Sequence, residues 1–482
     1  MAHRRPLSPR PLQLPLRRVD SNRASRRCLV RAYLSHMSSD PRPTVYIETY
    51  GCQMNVSDTE LMLGKLTASG YAPVEQPDGA DVILLNTCAI RDHAEQRVIG
   101  RLGEIKSKMK RDAVLGVTGC MAQRLGTQLL DRVKHVSLVI GPDGYRELPS
   151  LIESARAGNR ATSVEFDLDE HYEDFTPRRF DGVKAWIPVQ RGCDYKCTYC
   201  IVPTTRGPER SRQLAEVVRE TEAAVESGIS EIVLLGQTVN SYFDGKHDFA
   251  DLLRAIGSVP GVRRLRFTSP HPNDFSARVI RAIAETEACC EHVHLPMQSG
   301  STRTLKRMLR RYSREGYMEC VAELRAAIPK LALTTDIIVG FPGETEADFA
   351  ETLSAVEEVG FDDAYTFKFS PRDGTPATRF PTSDIVSDDV ASERLARLIA
   401  TVRAGSRERN LGLLGQRREV LVEKAARRGG LLQSRTRDFK TVMLPGDLSL
   451  IGQYLTVELT GTTGSTFIGQ VVAQRPALPM AV

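Results

Sequence analysis

Residues 185–200 read AWIPVQRGCDYKCTYC, an apolar run followed at once by three cysteines. The first six residues suit a buried strand. The loop Cys193-Asp-Tyr-Lys-Cys197-Thr-Tyr-Cys200 then spaces its thiols as C-x3-C-x2-C. Cysteine thiolates are the standard ligands of 4Fe–4S clusters, and three on one loop hold three corners of a cubane while the fourth iron stays open. The competing reading is a zinc or purely structural site, but structural zinc takes four protein ligands and this loop supplies three thiolates.

Downstream, apolar runs recur at 231–236, 263–268, 291–295, 333–339 and 363–369, with helical patterns at 211–228, 274–286 and 344–360 between them. Six βα units predict an incomplete version of the eightfold barrel, whose reactive groups gather at the C-terminal strand ends. Upstream, apolar runs at 44–49, 82–87, 113–118 and 136–140 alternate with amphipathic stretches, the pattern of a doubly wound parallel sheet. Cys52, Cys88 and Cys120 each follow one of its first three strands. Residues just past the strand ends of such a sheet line one crevice, so these distant thiols should converge. Each also precedes a helix, whose N-terminal dipole favours a thiolate. The competing reading is three unrelated core cysteines. After a charged helix near 388–410, short strands at 418–423, 439–444, 453–459 and 466–472 suggest a small β-barrel.

The expected organisation is a basic extension at 1–43, a parallel-sheet domain at 44–158, an acidic linker at 159–181, a barrel at 182–411, a small β-barrel at 412–475 and a tail at 476–482. The net charge of +5 is a property of the extension: residues 1–36 hold nine arginines and one acid, leaving 56 basic and 59 acidic residues in the rest. Any RNA contact in the body must therefore come from local patches. The extension is arginine-rich and acid-poor like an organelle transit peptide, yet lacks a clean amphipathic pattern. We read it as a disordered or artefactual extension before Met37. No run of 18 apolar residues predicts a membrane span, and with no secretory segment the ten cysteines read as metal ligands before disulfides.

The contexts of the cysteines are specific. Tyr50-Gly51-Cys52-Gln53-Met54-Asn55, Asn86-Thr87-Cys88-Ala89-Ile90-Arg91 and Thr118-Gly119-Cys120-Met121-Ala122, together with the Cys193–Cys200 loop, resemble the methylthiotransferase family of radical S-adenosylmethionine (SAM) enzymes. Further matches are Leu235–Tyr242 (LGQTVNSY), His294–Ser301 (HLPMQSGS) and Thr335–Thr345 (TDIIVGFPGET). The resemblance covers roughly 44–475. It implies an N-terminal domain whose Cys52, Cys88 and Cys120 hold an auxiliary 4Fe–4S cluster, and a partial (β/α)6 radical SAM barrel. In that barrel Cys193, Cys197 and Cys200 hold the SAM-binding 4Fe–4S cluster. It also implies a TRAM-like C-terminal barrel that binds RNA. Cys-Gln-Met-Asn at Cys52–Asn55 resembles the branch acting on isopentenylated tRNA, where two SAM molecules per turnover serve as methyl donor and radical source. Branches acting on a ribosomal-protein aspartate or on threonylcarbamoyladenosine remain alternatives, as does a non-enzymatic RNA-binding iron–sulfur protein.

Expected partners are the tRNA anticodon stem-loop and a low-potential electron donor, for a cytoplasmic monomer. By their place at strand ends Gln237, Gln298, Ser299 and Asp336 are candidate contacts to SAM or substrate, or ordinary barrel hydrogen bonds. Arg435, Arg437 and Lys440, beside Phe439, are candidate RNA contacts. The groups Lys306, Arg307, Arg310, Arg311 and Arg206, Arg210, Arg212 are either solvated faces or phosphate contacts. Cys289, Cys290 and Cys320 are expected to be core residues, and Cys28 to have no role. The histidines show no metal-site pattern, though His294 lies at a strand end.

Overall fold

A computed structural model describes residues 42–89, 92–173, 175–180, 182–427 and 429–474. The basic extension, Cys28 and the tail at 476–482 lie outside the described residues.

The first sheet has six strands: β1 (Thr44–Thr49), β2 (Ala72–Pro73), β3 (Val82–Thr87), β4 (Val114–Gly119), β5 (Leu138–Ile140) and β6 (Ala161–Ser163). Their order is β2-β1-β3-β4-β5-β6, with every pairing parallel. Because side chains alternate faces along a strand, β3 feeds two cores. Ile83 and Leu85 join Leu115, Val117 and the helices Asp92–Lys106 and Cys120–Leu125. Val82 and Leu84 join Val114, Leu138 and the helices Gln53–Ala68 and Leu148–Arg156. The two edge strands are additions to the sequence reading, and β6 lies inside the segment read as a linker. Tyr172 of that segment also enters a core of this sheet.

The central part carries β7 (Lys184–Pro188), β8 (Glu231–Leu235), β9 (Arg264–Phe267), β10 (His292–His294), β11 (Ala332–Val339) and β12 (Asp363–Lys368). They form two parallel three-stranded sheets, β9-β8-β7 and β10-β11-β12, joined by a bridge between Leu265 and Cys289. Alternate residues such as Ile187, Ile232, Leu234, Val293 and Leu333 meet the surrounding helices in one large core. The other set, including Trp186, Glu231, Arg264, His294 and Asp336, faces the lumen.

The C-terminal strands, β13 (Arg417–Ala425), β14 (Leu431–Thr436), β15 (Thr441–Pro445), β16 (Tyr454–Thr462) and β17 (Thr466–Gln474), close a barrel in the order β13-β14-β15-β17-β16. Sequence reading anticipated four strands; β14 (LLQSRT) was missed because its polar half hides the alternation of Leu432, Ser434 and Thr436 into the interior. This barrel packs against the end of the central part where its strands begin. Lys184 Nζ donates to Glu423 at 2.5 Å. Arg264 Nη1 donates to the Arg435 carbonyl and Arg266 Nη2 to the Thr436 carbonyl, both at 2.8 Å. The His292 ring stacks on Phe439 with centroids 4.4 Å apart.

Arg435, Arg437 and Lys440, the expected RNA contacts, each have a carboxylate partner. Arg435 Nε lies 2.9 Å from Glu423, Arg437 Nε 2.9 Å from Glu291, and Lys440 Nζ 2.7 Å from Asp362. A cation already paired with a carboxylate offers little to a phosphate. Arg437 and Lys440 fasten the small barrel to the central one, while the Arg435 pair lies within the small barrel.

Candidate functional site: two cysteine trios facing one boundary

Strands β1, β3 and β4 are immediate neighbours, so the residues after them sit one strand apart, about 4.8 Å per step. Thr49 pairs with Asn86 and Thr87 with Gly119, which places Cys52, Cys88 and Cys120 side by side along one sheet edge. Two glycines permit this. Gly51 has φ 142°, and a Cβ there would come 2.7 Å from the Cys88 Cβ; Gly119 has φ 87°, and a Cβ there would meet the Thr87 carbonyl at 2.6 Å. Asn55 and Asn86, both buried, lock the loops together: Asn55 Nδ2 donates to Asn86 Oδ1 at 3.1 Å and Asn86 Nδ2 to the Asn55 carbonyl at 2.7 Å. Asn55 of the Cys-Gln-Met-Asn motif is therefore a scaffold residue.

Cys52 caps the helix Gln53–Ala68 and Cys120 opens the helix Cys120–Leu125. The thiol of Cys52 is pulled down to about 6 by a hydrogen bond with Cys88, against its burial and with help from Arg206. Burial pushes Cys120 up, opposed by the same guanidinium. Arg206 Nε lies 3.1 Å from Cys120 Sγ, while its two terminal nitrogens grip Asp58 at 3.2 and 2.6 Å. Asp58 also faces Arg191, and Asp143 pairs with Arg210 at 3.0 Å. All five side chains are buried. This ionic layer welds the first domain to the barrel, so Arg206 and Arg210 are not phosphate contacts. Arg212 likewise holds Glu220 at 2.6 Å.

The second trio lies past β7. Gly192 (φ 74°) abuts the Pro208 carbonyl, leaving no room for a Cβ. Its N–H donates to Gln237 Oε1 at 2.6 Å, and Thr238 Oγ1 lies 3.2 Å from Cys193 Sγ. Burial raises the Cys193 thiol and pushes Cys200 up to about 12. Arg310 Nη1 approaches Cys197 Sγ at 3.5 Å. Each trio thus receives an N–H from one arginine of the barrel. The two trios adjoin: Ile201, the residue after Cys200, packs with Ala89 and Cys120. Met54, Val233 and Leu235 make an apolar patch with Cys52 and Trp186 between the first domain and the lumen.

Among the described residues, no three His, Cys, Asp or Glu side chains converge on a single metal ion. The donor set fits 4Fe–4S clusters, whose standard ligands are cysteine thiolates: all six thiols are free and four of them are buried.

The remaining candidates divide by their surroundings. Gln237 holds the entry to the cysteine loop. Gln298 (φ 66°) extends the strand pairing, its N–H donating to the Asp336 carbonyl at 2.8 Å. Ser299 Oγ lies 3.3 Å from Thr352 Oγ1, tying a loop to the helix Glu346–Val359. Only Asp336 of the four presents a carboxylate to the lumen, 3.2 Å from His294 Nε2; His294 Nδ1 in turn lies 3.0 Å from Thr334 Oγ1. The roles of Arg206, Arg310, Asp58 and Asp143 were not apparent from sequence spacing, because their partners come from distant segments.

Comparison with known proteins agrees with this architecture. Residues 44–141 match the model of the uncharacterized protein family UPF0004, 187–356 the radical SAM superfamily, and 413–472 the TRAM domain. Among solved structures, the radical SAM methyltransferase TsrM from Kitasatospora setae superposes with a TM-score of 0.53 over 70% of this chain and 77% of that one, at 14% identity. That likeness is one of fold. The tRNA-2-methylthio-N(6)-dimethylallyladenosine synthase of Chloroherpeton thalassium is 43% identical over 434 residues, covering 89% of this chain and 96% of the relative. The corresponding synthase of Geobacter sulfurreducens is 42% identical, covering 89% and 98%. The fold and the two trios define a radical SAM enzyme with an additional N-terminal cysteine domain. More narrowly, the chain belongs to the tRNA-2-methylthio-N(6)-dimethylallyladenosine synthase family.

Proposed function

We propose that the chain replaces the hydrogen on carbon 2 of N(6)-dimethylallyladenosine, at position 37 next to the tRNA anticodon, with a methylthio group. The product is 2-methylthio-N(6)-dimethylallyladenosine. The observation that carries this reading is the meeting of the two cysteine trios across Ile201, Ala89 and Cys120 in a chain so similar to synthases of that name.

In this reading Cys193, Cys197 and Cys200 hold the SAM-binding 4Fe–4S cluster, and Cys52, Cys88 and Cys120 the auxiliary one. When bound, the clusters and two SAM molecules supply the electron, carbon radical, methyl group and sulfur that no side chain provides for an unactivated C–H bond. The chain's part is placement. Gln237 and Gly192 fix the cysteine loop, and Arg206 and Arg310 direct N–H groups at one sulfur of each trio. Met54, Trp186, Val233 and Leu235 keep water from the boundary, and Asp336 with His294 offers a polar anchor in the lumen for SAM or the adenine. The enzyme works as a cytoplasmic monomer, in a compartment that keeps thiols reduced, with an external low-potential electron donor.

Mass spectrometry of tRNA nucleosides from cells lacking the gene tests the reading: 2-methylthio-N(6)-dimethylallyladenosine should vanish and its unthiolated precursor accumulate. An unchanged nucleoside profile, or no 5′-deoxyadenosine from the anaerobically reconstituted protein with reductant and SAM, refutes it.

A further inference from the structure

We infer that RNA phosphates are gripped at the rim of the Cys193–Cys200 loop, by Lys306, Arg311 and Arg379, and not by Arg435, Arg437 and Lys440 of the C-terminal barrel. This rests on the tRNA reading above and adds where that RNA is held.

The geometry begins at one residue of the cysteine loop. The N–H of Thr198 donates to the Met308 carbonyl at 3.0 Å, and its hydroxyl to the Arg307 carbonyl at 3.0 Å. The Thr198 carbonyl accepts from the Ala377 N–H at 2.8 Å. Two distant segments, 306–311 and 376–379, are thereby pinned to the loop, and both bring cations. Some of these cations are spent internally: Arg307 pairs with Asp384 at 2.5 Å, and Arg310 is turned toward Cys197 and the Pro296 carbonyl. Lys306, Arg311 and Arg379 are exposed, and among the described residues none of them is paired with a carboxylate. Outside residues 1–36 the chain carries 56 basic and 59 acidic residues, so a phosphate must be met by a local group of cations such as this one.

A second observation points to the same ligand. Between these cations Leu309 is 51% exposed and has φ 54°, a left-handed backbone that is uncommon for a branched apolar residue. The Arg311 guanidinium stands 5.8 Å above the Tyr195 ring of the cysteine loop. Exposed apolar and aromatic surface interleaved with free cations is what a single-stranded loop with splayed bases uses. Arg435, Arg437 and Lys440 of the C-terminal barrel are, by contrast, each paired with a carboxylate.

The test is fluorescence anisotropy of an isopentenylated anticodon stem-loop RNA on the iron-loaded protein, in a salt series. It compares the unaltered chain with the triple variant Lys306→Ala, Arg311→Ala, Arg379→Ala. Each lost phosphate contact lowers the slope of log Kd against log salt by ~0.7–0.9, so the triple variant should lose about 2 of slope and bind at least tenfold more weakly at low salt. If the triple variant does not fold, Lys306→Gln and Arg379→Gln singly should each lose slightly less than about 1. Unchanged slope and affinity overturn the rim assignment while the reaction reading stands. Failure of the unaltered chain to modify the same RNA overturns the reaction reading, whatever the rim variants do.

Discussion

Arg206 Nε sits 3.1 Å from Cys120 Sγ while the rest of its guanidinium grips Asp58. One barrel side chain therefore touches a thiol of the first domain and is itself anchored by a helix of that domain. Lysine can supply the charge at this place but not the fork.

Replacing Arg206 should separate structure from tuning. Arg206→Ala leaves Asp58 buried without its closest partner, a loss on the order of 3–5 kcal/mol, readable in urea unfolding. Arg206→Lys keeps a cation but loses the N–H aimed at sulfur. Hydrogen bonds to cluster sulfurs favour the reduced state, so its auxiliary cluster should titrate at a more negative potential. An unaltered potential in a folded, iron-loaded Lys variant rules out the tuning role.

The cysteine trios should be separable by iron content. The triple variant Cys52→Ala, Cys88→Ala, Cys120→Ala, purified anaerobically, should keep about half the iron and sulfide, four of eight irons being lost. It should still cleave SAM to 5′-deoxyadenosine. Iron content equal to that of the unaltered chain would mean these thiols hold no cluster.

Glu231 is fully buried among Lys184, Arg264 and Arg266. Burial works to raise its pKa, but the three cations outweigh it and hold the carboxyl below its ordinary value. Glu231→Gln leaves three cations facing one another where the small barrel docks. We expect a stability loss of about 3–5 kcal/mol, and faster proteolysis near residue 412. RNA affinity per folded molecule should not change.

Glu209 gives a pH signature. Burial, reinforced by Asp194 and Asp274 and opposed by a hydrogen bond from Ser241, raises its pKa from 4.5 to about 7. In the unfolded chain it ionises near pH 4.5, so stability is lost as pH rises from 4.5 through 7, up to about 3 kcal/mol. Glu209→Gln should therefore raise the melting temperature at pH 8 and leave it nearly unchanged at pH 5. Equal shifts at both pH values would contradict a protonated native carboxyl.

Much of this architecture was legible in the sequence, for identifiable reasons. Buried parallel strands are continuous apolar runs, and a cysteine directly after such a run is placed by topology alone; that sufficed for Cys52, Cys88 and Cys120. The short edge strands Ala72–Pro73 and Ala161–Ser163 carry no such signal, because backbone pairing with a neighbour defines them. Charge was the least legible feature. Arg206 lies 148 residues from Asp58, and Lys440 lies 78 residues from Asp362. A basic cluster reads the same whether carboxylates or phosphates await it.

The small barrel has an implication for how the central one holds together. It grips the first central sheet where Arg264 and Arg266 donate to its carbonyls, and the second where His292 stacks on Phe439 and Asp362 pairs with Lys440. It therefore clamps two sheets that, among the described residues, share one backbone bridge, so loosening the small barrel should let the halves of the central one part.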